Sequence, residues 1–156
     1  MTKSLADIAE DMKQIDFCTL TTHAPGGAIG ARPMSNNREV EYEGDSYFFT
    51  YQDRRMIADI ERDANVGITY LGGAGLKGIL GAPGQYIHVE AKARIVRDKA
   101  RFATHWDPSL ERWFPQGIDT PGMVLIEARA TRVHYWDGED EGEVTLGDPQ
   151  VWHDGP

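Results

Sequence analysis

Apolar and polar residues alternate most cleanly in "QYIHVEAKARIV" (residues 85–96). Ile87, Val89, Ala91, Ala93 and Ile95 interleave with His88, Glu90, Lys92 and Arg94. A period of two over twelve residues predicts a long strand with one buried and one wet face. "MVLIEARATRVHYW" (123–136) reads as a second long strand and "NVGITYL" (65–71) as a shorter one. "DFCTLTTH" and "AIGARPMS" flank the turn residues "APGG", which predicts a hairpin over 17–35. "REVEYEGDSYFFTY" reads as another hairpin, turning at "EGDS".

The period changes to that of a helix in three places. Leu5, Ile8, Ala9 and Met12 share one face behind a Ser4 N-cap, predicting a helix over 4–14. Arg54 to Asp63 is the second, with Ile57, Ile60 and Ala64 on one side, and "RDKARFATHW" is the third. "GGAGLKGILGAPG" (72–84) lacks the order of a phosphate loop and reads as a hairpin connection. Residues 107–122 read as irregular. Six or seven strands, mostly in hairpins, with two or three short helices predict a mainly β protein with peripheral helices. The architecture expected is a largely antiparallel barrel. Residues 1–138 form its single domain, and 139–156 an acidic, loosely held tail.

Composition narrows the function. The chain has 156 residues, enough for one real core, and a formal net charge of −9. That charge argues against nonspecific nucleic-acid or anionic-membrane binding, but allows a small anion in a local basic pocket. No stretch approaches the ~20 apolar residues of a membrane-spanning helix. The N-terminus lacks the apolar segment of a signal peptide. One cysteine, Cys18, rules out an internal disulfide and suits a reducing compartment. The expectation is a cytoplasmic protein, with Cys18 as a small buried apolar residue.

Metal and hydrolytic chemistry lack local signatures. The five histidines (His23, His88, His105, His134, His153) form no ligand-spaced pair with each other or with cysteine. There is no G-x-S-x-G, and no motif surrounds Cys18. Glu139 and Asp140 read as a solvated charge run, and no catalytic acid or base stands out.

What remains suits an anionic, aromatic ligand. Arg32 ends a strand and precedes Pro33, which cannot donate to a ladder. Thr50 closes a neighbouring strand after Phe48 and Phe49. Arg54 and Arg55 then open a helix, where cations are locally unfavourable. A strand end, a hydroxyl, a helix start and guanidinium groups make a phosphate cradle. The plainer alternative pairs Arg55 with Asp59 at i+4 and points Arg54 at water. Trp113 and Trp136, at loop and strand-end positions, serve either as core or as a platform for a planar ring.

Four segments together carry a family resemblance: "ARPMS", "YFFTYQDRRMIADIERDANVGITY", "YIHVEAKARIV" and "WDPSLERWFPQGIDTPGMVLIEARATRVHYWDG". Over roughly residues 5–138, their order and spacing resemble the general stress protein 26 branch of the pyridoxamine 5'-phosphate oxidase-like flavoproteins. The resemblance implies a split β-barrel homodimer with flavin mononucleotide (FMN) at the subunit interface. It implies that Arg32, Pro33 and Met34 lie along the flavin ring and ribityl chain, with Phe49 and Thr50 beside them. Arg55 matches a phosphate-binding residue, Trp136 a tryptophan near the flavin, and Trp113 a loop lying over the site. Met56 stands where the family usually has a lysine, leaving Arg54 as its substitute. The acidic "DGEDEGEVTLGDP" replaces the Arg- and His-containing segment of the true oxidases, which argues against pyridoxamine-phosphate oxidase activity.

The function expected is an FMN-dependent oxidoreductase whose substrate the sequence does not name. The rivals are a flavin-binding protein without turnover, the same barrel with a deazaflavin or a haem, and an empty structural dimer.

Overall fold

The computed structural model describes residues 2–36, 41–73 and 84–147. Seven antiparallel strands form one curled sheet: β1 (Phe17–His23), β2 (Ile29–Ser35), β3 (Asp45–Tyr51), β4 (Asn65–Leu71), β5 (Gln85–Val96), β6 (Met123–Asp137) and β7 (Asp140–Thr145). The order is β2-β1-β4-β5-β6-β3, with β7 also on β6. Among the described residues three α-helices lie outside it: α1 (Leu5–Met12), α2 (Arg55–Arg62) and α3 (Lys99–His105). Among the described residues no helix is long and apolar enough to cross a membrane.

Local chemistry explains the helix ends. Ser4 accepts from the Asp7 backbone while Asp7 accepts from the Ser4 backbone, a reciprocal capping box that starts α1. Asp98 caps α3 by accepting from the Ala100 N–H. Arg54 sits at the N-cap of α2 with extended backbone and no side-chain cap, so the orphan N–H groups of that end lack a capping side chain.

The period-two residues of β5 point as expected: Ile87, Val89, Ala91 and Ala93 are all buried. They join Leu20, Ile68, Ile126 and Val133 in the main core, closed by Ile8 and Met12 of α1 and Ile57 and Ile60 of α2. A second core of Phe49, Phe102, Phe114, Met123 and Leu125 packs α3 and the 107–122 segment against β3 and β6. That segment consists mainly of two short 3-10 turns, Pro108–Arg112 and Gly117–Asp119.

Two readings need correction. β3 was expected to pair with the residues just before it. It pairs instead with β6, from Asp45↔Arg129 to Tyr51↔Met123. Residues 41–44 carry no strand, and 37–40 lie outside the described residues, as do 74–83 of the glycine-rich connection. The acidic stretch after 138 is not wholly loose either, because Asp140–Thr145 forms β7 on the second half of β6. A side chain at Gly142 would collide with the Tyr135 ring, so the glycine is what lets β7 lie down there.

Cys18 is buried in the main core, as expected. Burial pushes its thiol up to about 12, leaving very little thiolate at neutral pH. At pH 8 the folded protein should therefore react with a thiol reagent at least about a hundredfold more slowly than the protein unfolded in guanidinium. Equal rates in the two states would show that β1 is readily uncovered in the folded protein.

Candidate functional site

A cleft of about 930 Å³ opens between the ends of β2 and β3, the start of α2 and the 109–114 segment. It gathers residues far apart in sequence: Pro33 and Met34 from β2, Phe49 and Thr50 from β3, Arg54 from α2, and Trp113. Its floor is aromatic because alternate β3 residues feed the second core. Phe49 meets Phe102 and Trp106 edge-on at 5.7 and 5.2 Å. Trp113 stands 52% exposed at the rim, with the Arg112 guanidinium 5.1 Å over its ring. Phe17, also at the rim, is 58% exposed, an unusual amount of bare aromatic surface beside one opening.

Three polar groups at or beside the cleft, on Thr50, Arg54 and Arg55, have little to do within the chain. The Thr50 hydroxyl makes no hydrogen bond among the described residues. Arg54 lies 5.5 Å over Tyr51 and reaches the exposed Asp53 only at 3.7 Å. Arg55, next to Arg54 but outside the cleft lining, is exposed and makes no ion pair or hydrogen bond among the described residues. The i+4 pairing with Asp59 is not formed, because that carboxylate is occupied elsewhere. Asp59 is 1% exposed and accepts from Thr22 Oγ1 at 3.0 Å and Arg62 Nη2 at 3.1 Å. Burial alone would push its carboxyl up, but the hydrogen bonds from Arg62 and Thr22 outweigh it and hold the group below the usual range.

Arg32 belongs to that same network and not to the cleft lining. Its Nη1 donates to Thr22 Oγ1 at 2.8 Å and to the Leu20 carbonyl at 3.2 Å, and its Nη2 lies 3.9 Å from Asp59. Burial lowers its pKa, Asp59 opposes the shift, and the nearby Arg55 charge adds to it. Arg32, Arg55 and Arg62 thus act on one buried carboxylate, with Arg55 at the start of α2 and Arg62 at its last residue. Met56 is buried in the main core and adds nothing to this surface. Trp136 stands apart from the cleft near the end of β6, stacked on His134 at 3.8 Å and edge-on to Tyr86.

Sequence reasoning missed His105. It ends α3, stacks on Tyr47 with centroids 3.7 Å apart, and reaches the cleft wall. Its Nε2 is buried without a hydrogen-bond partner among the described residues. No local motif marks it, since only the docking of α3 against β3 brings it there. Among the described residues no three His, Cys, Asp or Glu side chains converge to hold a metal ion.

Comparison with known proteins gives the arrangement a context. Residues 3–147 match the family model described as pyridoxamine 5'-phosphate oxidase like. No curated protein matches the sequence. The crystal structure of general stress protein 26 from Bacillus anthracis is 24% identical, with 91% of this chain and 98% of that one covered at a TM-score of 0.67. A pyridoxamine 5'-phosphate oxidase-related, FMN binding protein from Nostoc punctiforme is 12% identical, with 94% and 100% covered and a TM-score of 0.67. A heme binding protein from Mycobacterium smegmatis is 16% identical, with 93% and 60% covered and a TM-score of 0.68. At these identities the likeness establishes the split-barrel fold, which structural relatives with different cofactors share.

Proposed function

The chain belongs to the pyridoxamine 5'-phosphate oxidase-like family, and from that premise we propose that it is an FMN-binding oxidoreductase of the general stress protein type. One observation carries the reading. A cleft of about 930 Å³, within the range of cofactor sites, joins aromatic and apolar walls to an uncapped, arginine-rich helix start. The donor set fits FMN. Pro33, Met34, Phe49 and Trp113 offer apolar surface to the ring system, and the Thr50 hydroxyl is free to hydrogen-bond. Arg54 and Arg55 suit the phosphate, answering the helix N-terminus with an anion. Arg32, held by Thr22, adds charge at the same end of α2.

Bound FMN would supply electron or hydride transfer, while the chain binds, orients and screens it from water. In this reading the protein is a cytoplasmic homodimer that closes the cleft at its subunit interface. The bare Phe17 at the rim and the exposed Leu71 and Tyr86 are surfaces such a partner would cover, and Trp136 serves the site across that interface. The substrate is a small molecule. Pyridoxamine phosphate lies outside this reading, because the segment after Trp136 is the acidic β7, with Asp140, Glu141 and Glu143 and no arginine.

The first test is the absorption spectrum of the purified protein, with release of the chromophore and its identification by mass. Flavin bands and released FMN are expected. A colourless protein that also fails to take up added FMN overturns the reading, and a haem spectrum replaces the cofactor. Turnover with a reduced nicotinamide cofactor then separates an enzyme from a flavin-storing protein.

A further inference from the structure

Every described lysine and arginine donates a side-chain hydrogen bond to another described residue except three: Arg54, Arg55 and Arg112. The chain has a formal net charge of −9, so carboxylates are plentiful and a shortage of partners does not explain the three. Arg54 and Arg112 line the same cleft, and Arg55 adjoins Arg54. Positive charge without a hydrogen-bonded partner thus gathers at one opening, where all three side chains are exposed to an incoming ligand.

The three belong to two elements. Arg54 is the N-cap of α2 and Arg55 its first residue. A phosphate monoester carries about two negative charges at neutral pH, which those two cations match. Arg112 enters from elsewhere, as the last residue of the 3-10 turn Pro108–Arg112. Its guanidinium lies over the Trp113 ring, 5.1 Å from the centroid. A guanidinium placed over a ring spends its face there and keeps its edge N–H donors open. Its neighbours in the cleft lining, Leu110, Trp113 and Phe114, are apolar.

We infer that the substrate of the flavin site is a planar organic carboxylate, held by Arg112 against Trp113. The guanidinium fork matches one carboxylate through two parallel hydrogen bonds. That supplies a single negative charge for the single cation that the FMN phosphate leaves over. The body of the ligand is flat because Trp113, 52% exposed, offers a bare aromatic surface beside the fork. A cationic substrate meets repulsion from Arg54 and Arg112, and a neutral one leaves the Arg112 charge unanswered. The inference rests on the flavin reading for the ligand's being a substrate. Binding of the carboxylate at Arg112 does not depend on it.

Benzoate is the probe, titrated by calorimetry into the intact protein saturated with FMN, with benzamide and phenyl phosphate in parallel. FMN affinity is measured separately by flavin fluorescence, so failure of the flavin reading and failure of the carboxylate site are distinguishable. If the protein takes up no FMN, the ligand is no flavin substrate, and the same titration without FMN decides the carboxylate site. Saturable binding of benzoate is expected, with benzamide about tenfold weaker or more. Arg112→Ala should weaken benzoate about tenfold or more and leave FMN affinity within about twofold. Arg112→Lys keeps the charge without the fork and should fall between the two. Circular dichroism checks folding, and Arg112→Gln decides if the alanine variant does not fold. No saturable benzoate binding, equal binding of benzamide, or unchanged benzoate affinity in the folded variant overturns the inference. So does a matching loss of FMN affinity, which would assign Arg112 to the phosphate. Tighter binding of phenyl phosphate than of benzoate overturns the choice of a carboxylate.

Discussion

Replacing Arg54 and Arg55 together by alanine should lower FMN affinity about a hundredfold or more while leaving the fold intact. Both side chains are exposed, and neither holds the structure together. Arg54 lies over the Tyr51 ring and has only a long ion contact, to the exposed Asp53, and Arg55 has no hydrogen bond or ion pair among the described residues. Placed at the positive end of α2, they are unfavourable there until an anion arrives. A hydrogen bond between charged groups contributes about 1.5–3 kcal/mol, so losing two removes about 3–6 kcal/mol of binding. At 1.4 kcal/mol per tenfold, that is a hundredfold at the least. Stability should stay within about 0.5 kcal/mol, as for other surface substitutions. Flavin fluorescence titration and thermal unfolding measure the two quantities. Unchanged FMN affinity in the folded double variant would mean that no phosphate sits at α2, and the cofactor assignment would fall with it.

Glu127→Ala should cost about 3 kcal/mol of stability. Glu127, on β6, is 2% exposed and accepts from Arg94 Nη2 and Arg101 Nη2, each at 3.1 Å. One carboxylate thus ties β5 and β6 to α3. Both arginines are themselves mostly buried. Removing the carboxylate leaves two guanidinium groups side by side in a poorly solvated place, where breaking a buried pair costs about 3–5 kcal/mol. Part of that is recovered because water can still reach both cations. Against a typical total of about 5–15 kcal/mol, the loss is large. Denaturant unfolding would measure it. A change below about 1 kcal/mol would mean that the arginines relax into solvent and the cluster is not what docks α3.

The sequence made β1, β2, β4 and β5 legible nearly to the residue, because their turn residues and period-two faces are local properties. Strand partners are not local. The residues of β3 were recognisable from their aromatic run, but nothing in "EGDS" says that the run pairs with β6 instead of the segment before it. The acidic composition of 139–145 hid β7, whose place depends on Gly142 fitting against Tyr135. At the site, Pro33, Met34, Phe49, Thr50, Arg54 and Trp113 could be picked out beforehand and are brought to one cleft. Arg32 was found, but not its direction, since Thr22 and Asp59 claim its guanidinium. His105 was invisible as a site residue, because only the docking of α3 against β3 brings it to the cleft wall.

The pairing of β3 with β6 also bears on how the chain folds. Asp45 is joined to Arg129 across 84 positions of sequence, whereas β1 and β2 meet through a short turn. Contacts at such separation give a high contact order, and chains dominated by them fold slowly. On the ribosome the first half of the cleft wall must wait for the last long strand to emerge. Until then the aromatic run of β3 is an uncovered edge, open to other strands. The cleft is thus among the last parts of the molecule to exist, and anything bound there acts on the final step of assembly.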